Sequence, residues 1–207
     1  MKNCFIFGAL PVEALPIKPD KDDLVLAADR GILNCEKFGI TPSAVIGDFD
    51  SLGFTPQGEN ITVLPVRKDD TDIGHCIKHA LNSHYKSFYI YGAVGGKLDH
   101  TLANIQLAAF IAEQGGKSVF FGDNCRFTAI NNGALRFPES SGRVSVFCGS
   151  GKAEGVTLKG LSYPLVSAHL NSGYPLGVSN EFTGSEAEIE VKNGTLTVIW
   201  YSDVLPK

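Results

Sequence analysis

Six short apolar runs, each closed by a glycine, proline or aspartate, constrain this 207-residue chain more than any other feature. They are Cys4-Phe5-Ile6-Phe7 before Gly8, Leu24-Val25-Leu26-Ala27-Ala28 before Asp29, Ala44-Val45-Ile46 before Gly47, Ile61-Thr62-Val63-Leu64 before Pro65, Phe88-Tyr89-Ile90-Tyr91 before Gly92, and Ser118-Val119-Phe120-Phe121 before Gly122. Runs this short, apolar on both sides of the pleat, suit strands covered on both faces, as in a parallel sheet. Helical patterns lie between them. Ile73, Ile77, Ala80 and Leu81 recur at i, i+4, i+7 and i+8, which predicts one apolar stripe facing a sheet. Leu98, Leu102, Ile105 and Ala109 predict a second such stripe, in a helix stopped by Gly115-Gly116. Strand, helix, strand in this order predicts an α/β fold with a mostly parallel sheet and flanking helices.

After Asp123 the texture changes. Helical periodicity stops, and short alternating runs separated by Gly, Ser, Asn and Pro take over. The expected organisation is therefore an α/β domain over residues 1–125 and a small all-β, sandwich-like domain over 126–207. Asn193-Gly194, between Ala187–Val191 and Thr195–Trp200, predicts a tight hairpin. Trp200 alternates with Val198 and Leu196 and reads as core. The Leu10–Asp23 stretch, with three prolines, reads as a loop.

Composition narrows the function classes. Hydrophobic residues are 43% and charged residues 19%, which excludes a disordered or coiled-coil chain. A net charge of −4 argues against nucleic acid or an anionic membrane as partner. The 5 cysteines are scattered without a C-x-x-C pair, which predicts reduced thiols in a cytoplasmic protein. The N-terminus lacks a signal-peptide pattern, and no run approaches the roughly 18 apolar residues of a membrane span.

Ligands of an open α/β sheet bind beyond the carboxyl ends of its strands, and the acidic residues gather there. Asp29 follows the second run, Asp48 and Asp50 the third, and Asp99 the run ending at Tyr91, while Asp69, Asp70 and Asp72 precede the Ile73 helix. Two carboxylates about 4 Å apart repel by about 1 kcal/mol in water and by several times that in protein. Oxygen-only crowding of this kind suits a hard cation, Mg²⁺. If Gly47-Asp48-Phe49-Asp50-Ser51 stays extended, Asp48 and Asp50 share one side and Phe49 turns into the core. Thr71 is placed to cap the following helix and Lys68 to neutralise a phosphate. Gly92-Ala93-Val94-Gly95-Gly96-Lys97-Leu98-Asp99-His100 sits between a strand and a helix, where backbone amides favour an anion. It matches neither a Walker loop nor G-x-G-x-x-G. His75 and His79, at i and i+4 beside Cys76, lack the glutamate of a metalloprotease helix, and no G-x-S-x-G elbow occurs.

In this order, Ala28-Asp29-Arg30-Gly31, Pro42 to Ser51, Lys68-Asp69-Asp70-Thr71-Asp72, and Gly95 to His100 with Asn104 resemble the thiamine pyrophosphokinase family. The likeness continues through Gly160-Leu161-Ser162-Tyr163-Pro164-Leu165 and Gly177-Val178-Ser179-Asn180-Glu181, so it spans nearly the whole chain. The resemblance implies a homodimer, each chain with an α/β catalytic domain and a β-sandwich-like domain. The implied reaction moves a pyrophosphoryl group from ATP to the thiamine hydroxyl, giving thiamine diphosphate and AMP with Mg²⁺. It implies Asp48, Asp50 and Asp72 as metal ligands and catalytic groups, with Asp29 and Asp99 completing the acidic site. Gly95, Gly96, Asp99, His100 and Thr71 would meet the nucleotide or its phosphates. Ser179 and Asn180 would bind thiamine, with Tyr163 as an aromatic wall. Two positions depart from the family pattern: Arg30 stands where a small residue is common, and Lys97 where arginine is common. Lys97 keeps the charge but loses the bidentate fork.

Three other readings stay open at this level. One is a pyrophosphokinase acting on a pterin alcohol, one a Mg²⁺-dependent phosphohydrolase in which water replaces the alcohol, and one a sensing module that binds ligand without turnover.

Overall fold

Parallel pairing begins with the first two strands and sets where every later loop emerges. The computed structural model describes residues 2–58, 60–67 and 69–206. In chain order it begins β1 (Cys4–Phe7), β2 (Leu24–Ala28), α1 (Gly31–Lys37), β3 (Ala44–Gly47), β4 (Ile61–Val63), α2 (Asp72–Asn82), β5 (Ser87–Tyr91), α3 (Leu98–Glu113) and β6 (Lys117–Phe121). These six strands run in the order β6-β5-β1-β2-β3-β4. The pairs β5–β1, β1–β2, β2–β3 and β3–β4 are all parallel. The prediction of a mostly parallel sheet with flanking helices holds, and Leu10–Asp23 is a loop.

The strands owe their burial to composition. Every side chain of β1 is fully buried, as are Leu26 and Ile90 in the neighbouring strands. The run at Ile61 behaves differently: Thr62 and Val63 are exposed, because β4 is the last strand of its sheet and only one side of it is paired. Helix α1 crosses close to β1. A Cβ at Gly31 would lie 1.8 Å from the Phe7 carbonyl oxygen, so no other residue fits there without moving the strand.

Helix α2 buries Ile77 and Ala80 of its predicted stripe, leaves Ile73 and Leu81 half-buried and adds Gly74 and Cys76, and the Thr71 hydroxyl accepts from the Gly74 amide at 3.1 Å as an N-cap. Helix α3 departs from expectation. Of the predicted stripe only Ala109 is buried and Ile105 is half-buried, whereas Leu98 and Leu102 are 83% and 55% exposed; the buried face runs through Asn104, Ala108, Ala109, Ile111 and Ala112. A polar residue turns inward because the Asn104 Nδ2 donates to the Ala93 carbonyl at 2.6 Å, which fixes the rotation of the helix. Its end is as predicted: Gly115, at φ +71°, donates to Ala112 and Gly116 to Ile111, a Schellman stop.

The remaining strands are β7 (Arg126–Asn131), β8 (Ala134–Phe137), β9 (Arg143–Cys148), β10 (Lys152–Lys159), β11 (Leu165–Asn171), β12 (Gly177–Glu181), β13 (Ala187–Glu190) and β14 (Thr195–Trp200). Two orders result, β12-β9-β14-β7 and β11-β10-β13-β8, with antiparallel pairing throughout. Phe137 of one sheet meets Trp200 of the other edge-on at 5.4 Å and Phe182 at 4.9 Å, which makes an aromatic centre for this sandwich-like part. Trp200 is fully buried, and its indole N–H donates to Val204.

The predicted hairpin is not formed. Strand β13 pairs with β10 and β8, whereas β14 pairs with β7 and β9, so Asn193-Gly194 carries the chain from one sheet to the other. The left-handed conformation of Gly194 (φ +108°) is used for that crossing. Its amide donates to Asn132 Oδ1, and a Cβ there would lie 2.5 Å from the Lys152 carbonyl.

By contacts the chain falls into two compact units: residues up to Asn104 with Ser118–Asp123, and Ile105–Lys117 with the residues from Asn124 onward. Among the described residues, no helix is long and apolar enough to cross a membrane. None of the five cysteines forms a disulfide among the described residues, and Cys4, Cys35 and Cys76 are buried. Burial pushes the Cys35 thiol up to about 12, helped by Glu36. Burial also raises Cys4 and Cys76, with Asp23 adding to the first and Cys4 and Asp72 to the second.

The nucleophile is the thiolate, so these three thiols are inert near neutral pH. Cys4, Cys35 and Cys76 are expected to resist iodoacetamide at pH 8 until denaturant is added; mass spectrometry showing rapid native labelling of any of them would contradict this. Their raised folded-state values also mean that the stability they contribute is whole below the unfolded thiol pKa, about 8.5, and falls as pH rises beyond it.

Candidate active site

The register of the parallel strands puts several loops at one level. Phe7 lies opposite Ala27 and Tyr91, Ala28 opposite Ile46, and Gly47 opposite Val63. Gly8, Asp29, Asp48, Leu64 and Gly92 therefore leave the same edge of the sheet, its carboxyl end. Close backbone approaches tie these loops together. A Cβ at Gly8 would lie 2.5 Å from the Gly92 carbonyl, and one at Gly47 would lie 2.9 Å from the Asp29 Cα. The Asn34 side chain donates to the Gly8 and Leu10 carbonyls at 2.8 Å each and accepts from the Val12 amide, so α1 clamps the loop after β1.

Asp29 is the most enclosed acid at this edge, 7% exposed and held at φ +49°. Its amide donates to the Ile46 carbonyl, and its Oδ2 accepts from the Ser51 hydroxyl. Its Oδ1 is buried and makes no hydrogen bond among the described residues. Ser51 was within reach of sequence reasoning, since it ends the Gly47–Ser51 element, but nothing in the pattern pairs it with a residue 22 positions earlier.

The segment after β3 does not stay extended. Phe49 turns left-handed at φ +60° and is 2% exposed, and the Asp50 amide lies 3.4 Å from Asp48 Oδ1. The ring does enter the core, but a turn delivers it. Asp48 is half-buried and Asp50 exposed, so the two carboxylates do not share one face of a strand. A bulky residue at positive φ costs on the order of 1–3 kcal/mol, and burying the ring returns about 1.5–3 kcal/mol.

At the start of α2, Asp72 and the capping Thr71 are half-buried, with the Thr71 hydroxyl occupied by its capping role. Asp70 pairs with Lys78 at 2.8 Å and accepts from the Thr71 amide. Ile73 reaches the first loop, its Cδ1 lying 3.1 Å from where a Gly8 Cβ would be. Lys68 lies outside the described residues. The glycine-rich loop, Gly95 to His100, is exposed throughout. Gly95 and Gly96 adopt φ +100° and +64°, and the Asp99 Oδ1 accepts from the His100 amide. Asp99, Lys97 and His100 thus stand at the start of α3 in solvent, and Arg30 is exposed beside Asp29 in the chain.

The donors along this edge are carboxylate oxygens, and the buried Asp29 Oδ1 makes no hydrogen bond among the described residues; that chemistry suits a hard cation. Among the described residues, no three His, Cys, Asp or Glu side chains converge into a closed metal cage. Mg²⁺ commonly takes one or two carboxylates and fills its remaining positions with water and substrate phosphate. The residues therefore fit Mg²⁺ that arrives with a polyphosphate.

A second group lies in the β unit. Asn180 is 3% exposed; its Oδ1 accepts from the Tyr163 and Glu181 amides at 2.9 Å, and its Nδ2 donates to the Tyr163 carbonyl at 2.8 Å. The side chain thus holds the Tyr163 backbone, leaving that ring 69% exposed. Ser179, exposed at φ +58°, donates its amide to the Ser145 hydroxyl, in a stretch where the β12–β9 register shifts.

Two family models match the chain: "Thiamin pyrophosphokinase, catalytic domain" over residues 18–120 and "Thiamin pyrophosphokinase, vitamin B1 binding domain" over 135–196. The thiamine pyrophosphokinase of Bacillus subtilis (strain 168) is 29% identical over 201 residues, covering 89% of this chain and 90% of that protein. The crystal structure of thiamin pyrophosphokinase from Geobacillus thermodenitrificans superposes with a TM-score of 0.81 at 26% identity, covering 97% of each chain. That from Candida albicans, at 15% identity and a TM-score of 0.75, covers 97% of this chain and 90% of its own and shares the fold.

Ser51→Ala removes the one hydrogen bond that the buried Asp29 carboxylate keeps among the described residues, so stability is expected to fall by about 1–3 kcal/mol. Urea unfolding measures it, and an unchanged midpoint would show that Asp29 does not depend on Ser51.

Proposed function

Because the chain belongs to the thiamin pyrophosphokinase family, we propose that it transfers the pyrophosphoryl group of ATP to the hydroxyl of thiamine, releasing AMP. The observation that carries this reading is the presence on one chain, in order, of segments matching both the catalytic and the vitamin B1 binding models. The second model argues against a pterin alcohol as acceptor. We assign the nucleotide to residues 1–125 and thiamine to residues 126–207, in a cytoplasmic homodimer.

Attack is in line. The thiamine hydroxyl oxygen forms a bond to the β-phosphorus as the bond from that phosphorus to the α,β-bridging oxygen breaks, and AMP leaves with that oxygen. The hydroxyl proton passes to an aspartate of the sheet edge. Such transfer depends on position and electrostatics rather than on a protein nucleophile, which agrees with the inert core thiols. Asp48, Asp50 and Asp72, with Asp29 behind them, would hold Mg²⁺, which when bound offsets the charge of both the carboxylates and the phosphates. Lys68, Thr71, Gly95, Gly96, Lys97, Asp99 and His100 would contact the nucleotide or its phosphates. In the β unit, Tyr163 offers a ring face to thiamine, Ser179 and Asn180 bind it, and Asn180 also keeps Tyr163 in place.

The test is AMP formation from ATP and Mg²⁺ with thiamine, with a pterin alcohol and with no acceptor. AMP is expected with thiamine alone; AMP without acceptor would mark a phosphohydrolase. Asp50→Asn, at an exposed position, is expected to lower the rate by at least about a hundredfold with an unchanged melting temperature. Near-normal AMP release by that variant would remove Asp50 from the site.

A further inference from the structure

The glycine-rich loop has a problem of order. Residues 95–100 are exposed, and Gly95 and Gly96 lose more conformational freedom on being fixed than any other residue type would. Nothing lies within 4 Å of where a Gly95 Cβ would be, so packing does not hold that residue. One side chain does. The Thr101 hydroxyl accepts from the Gly95 amide at 3.2 Å, and its hydrogen is shared between the Gly95 carbonyl at 3.0 Å and the Lys97 carbonyl at 3.3 Å.

We propose that Thr101 is a positioning residue for nucleotide binding: its hydroxyl fixes Gly95 and Lys97 so that the amides between them and the start of α3 face the phosphates before ATP arrives. The proposal rests on the nucleotide lying at this loop. Thr101 acts through the loop, because its acceptor and its hydrogen are both already engaged by backbone groups. It also redistributes roles among the loop amides. The Gly95 N–H is spent on Thr101, whereas those of Gly96 and Lys97 make no hydrogen bond among the described residues. Gly95 is then the hinge of the cradle, and Gly96 and Lys97 supply its donors. Asn104, one turn further along α3, anchors the root of the same loop at Ala93, so the helix holds the segment at two points. Gly96 is confined from the other side, where a Cβ would lie 2.9 Å from Leu10 Cδ2.

Thr101→Val keeps the β-branched shape and helix propensity and removes only the hydroxyl, and Thr101→Ser restores it. Steady-state rates are expected to show KM for ATP raised about tenfold in Thr101→Val, with KM for thiamine unchanged, kcat within about twofold, and Thr101→Ser close to the native protein. Calorimetric binding of a non-hydrolysable ATP analogue should weaken by the same factor, with the melting temperature of the ligand-free protein unmoved. A native KM for ATP in Thr101→Val, an equal rise in both KM values, or an equal defect in Thr101→Ser would overturn the proposal. Failure of the native protein to bind the analogue would instead overturn the nucleotide reading beneath it.

Discussion

A parallel sheet buried on both faces leaves only one kind of place for polar chemistry, the edge where its strands end and its helices begin. The α/β unit is organised by that constraint. The in-register pairing of β5, β1, β2 and β3 brings Gly8, Asp29, Asp48 and Gly92 to one level although they come from four separate loops. Glycines at positions 8, 31 and 47 allow these loops to approach at distances that a single methyl group would forbid. The acidic edge thus follows from strand register and backbone proximity, with the individual carboxylates added to a frame already fixed by the apolar core.

That frame carries local strain where chemistry is expected. Asp29 and Phe49 both hold positive φ, and both are nearly buried. Phe49 is kept in place by its ring in the core, and Asp29 by its amide bond to Ile46 and its contact with Ser51. A buried carboxylate with one oxygen unpaired is costly in a resting protein. It becomes favourable when a cation and a polyphosphate complete its surroundings, which links the strain to the proposed reaction.

How much of this was legible in the sequence follows from range. Strands apolar on both sides, the Thr71 cap and the Gly115-Gly116 stop depend on neighbours in the chain, and each is present as predicted except in β4, where the sheet ends and Thr62 and Val63 are exposed. The first turns of α3 differ from the periodicity, which favours leucines: Leu98 and Leu102 lie outward while Ala109 is buried as expected, and Asn104 turns inward to satisfy a carbonyl eleven residues away. Asn193-Gly194 carries a strong local turn preference, yet its two flanking strands find partners in different sheets, because β14 is claimed by β7 and β9. At the site, the acids could be located by their positions after apolar runs. The roles of the residues that hold the site, Ser51, Asn34 and Thr101, could not, since their work lies in hydrogen bonds to partners that only the folded chain brings near.

The central claim is that the aspartates of the sheet edge accept a polyphosphate only together with Mg²⁺. The affinity of a non-hydrolysable ATP analogue, measured with excess Mg²⁺ and again with EDTA, for the native protein and for the double variant Asp48→Asn/Asp50→Asn, tests it most directly. The account predicts that Mg²⁺ strengthens binding to the native protein by at least about tenfold, and that the double variant loses this dependence while binding the analogue in EDTA better than the native protein does. Equal affinity of the native protein with and without Mg²⁺ would contradict it.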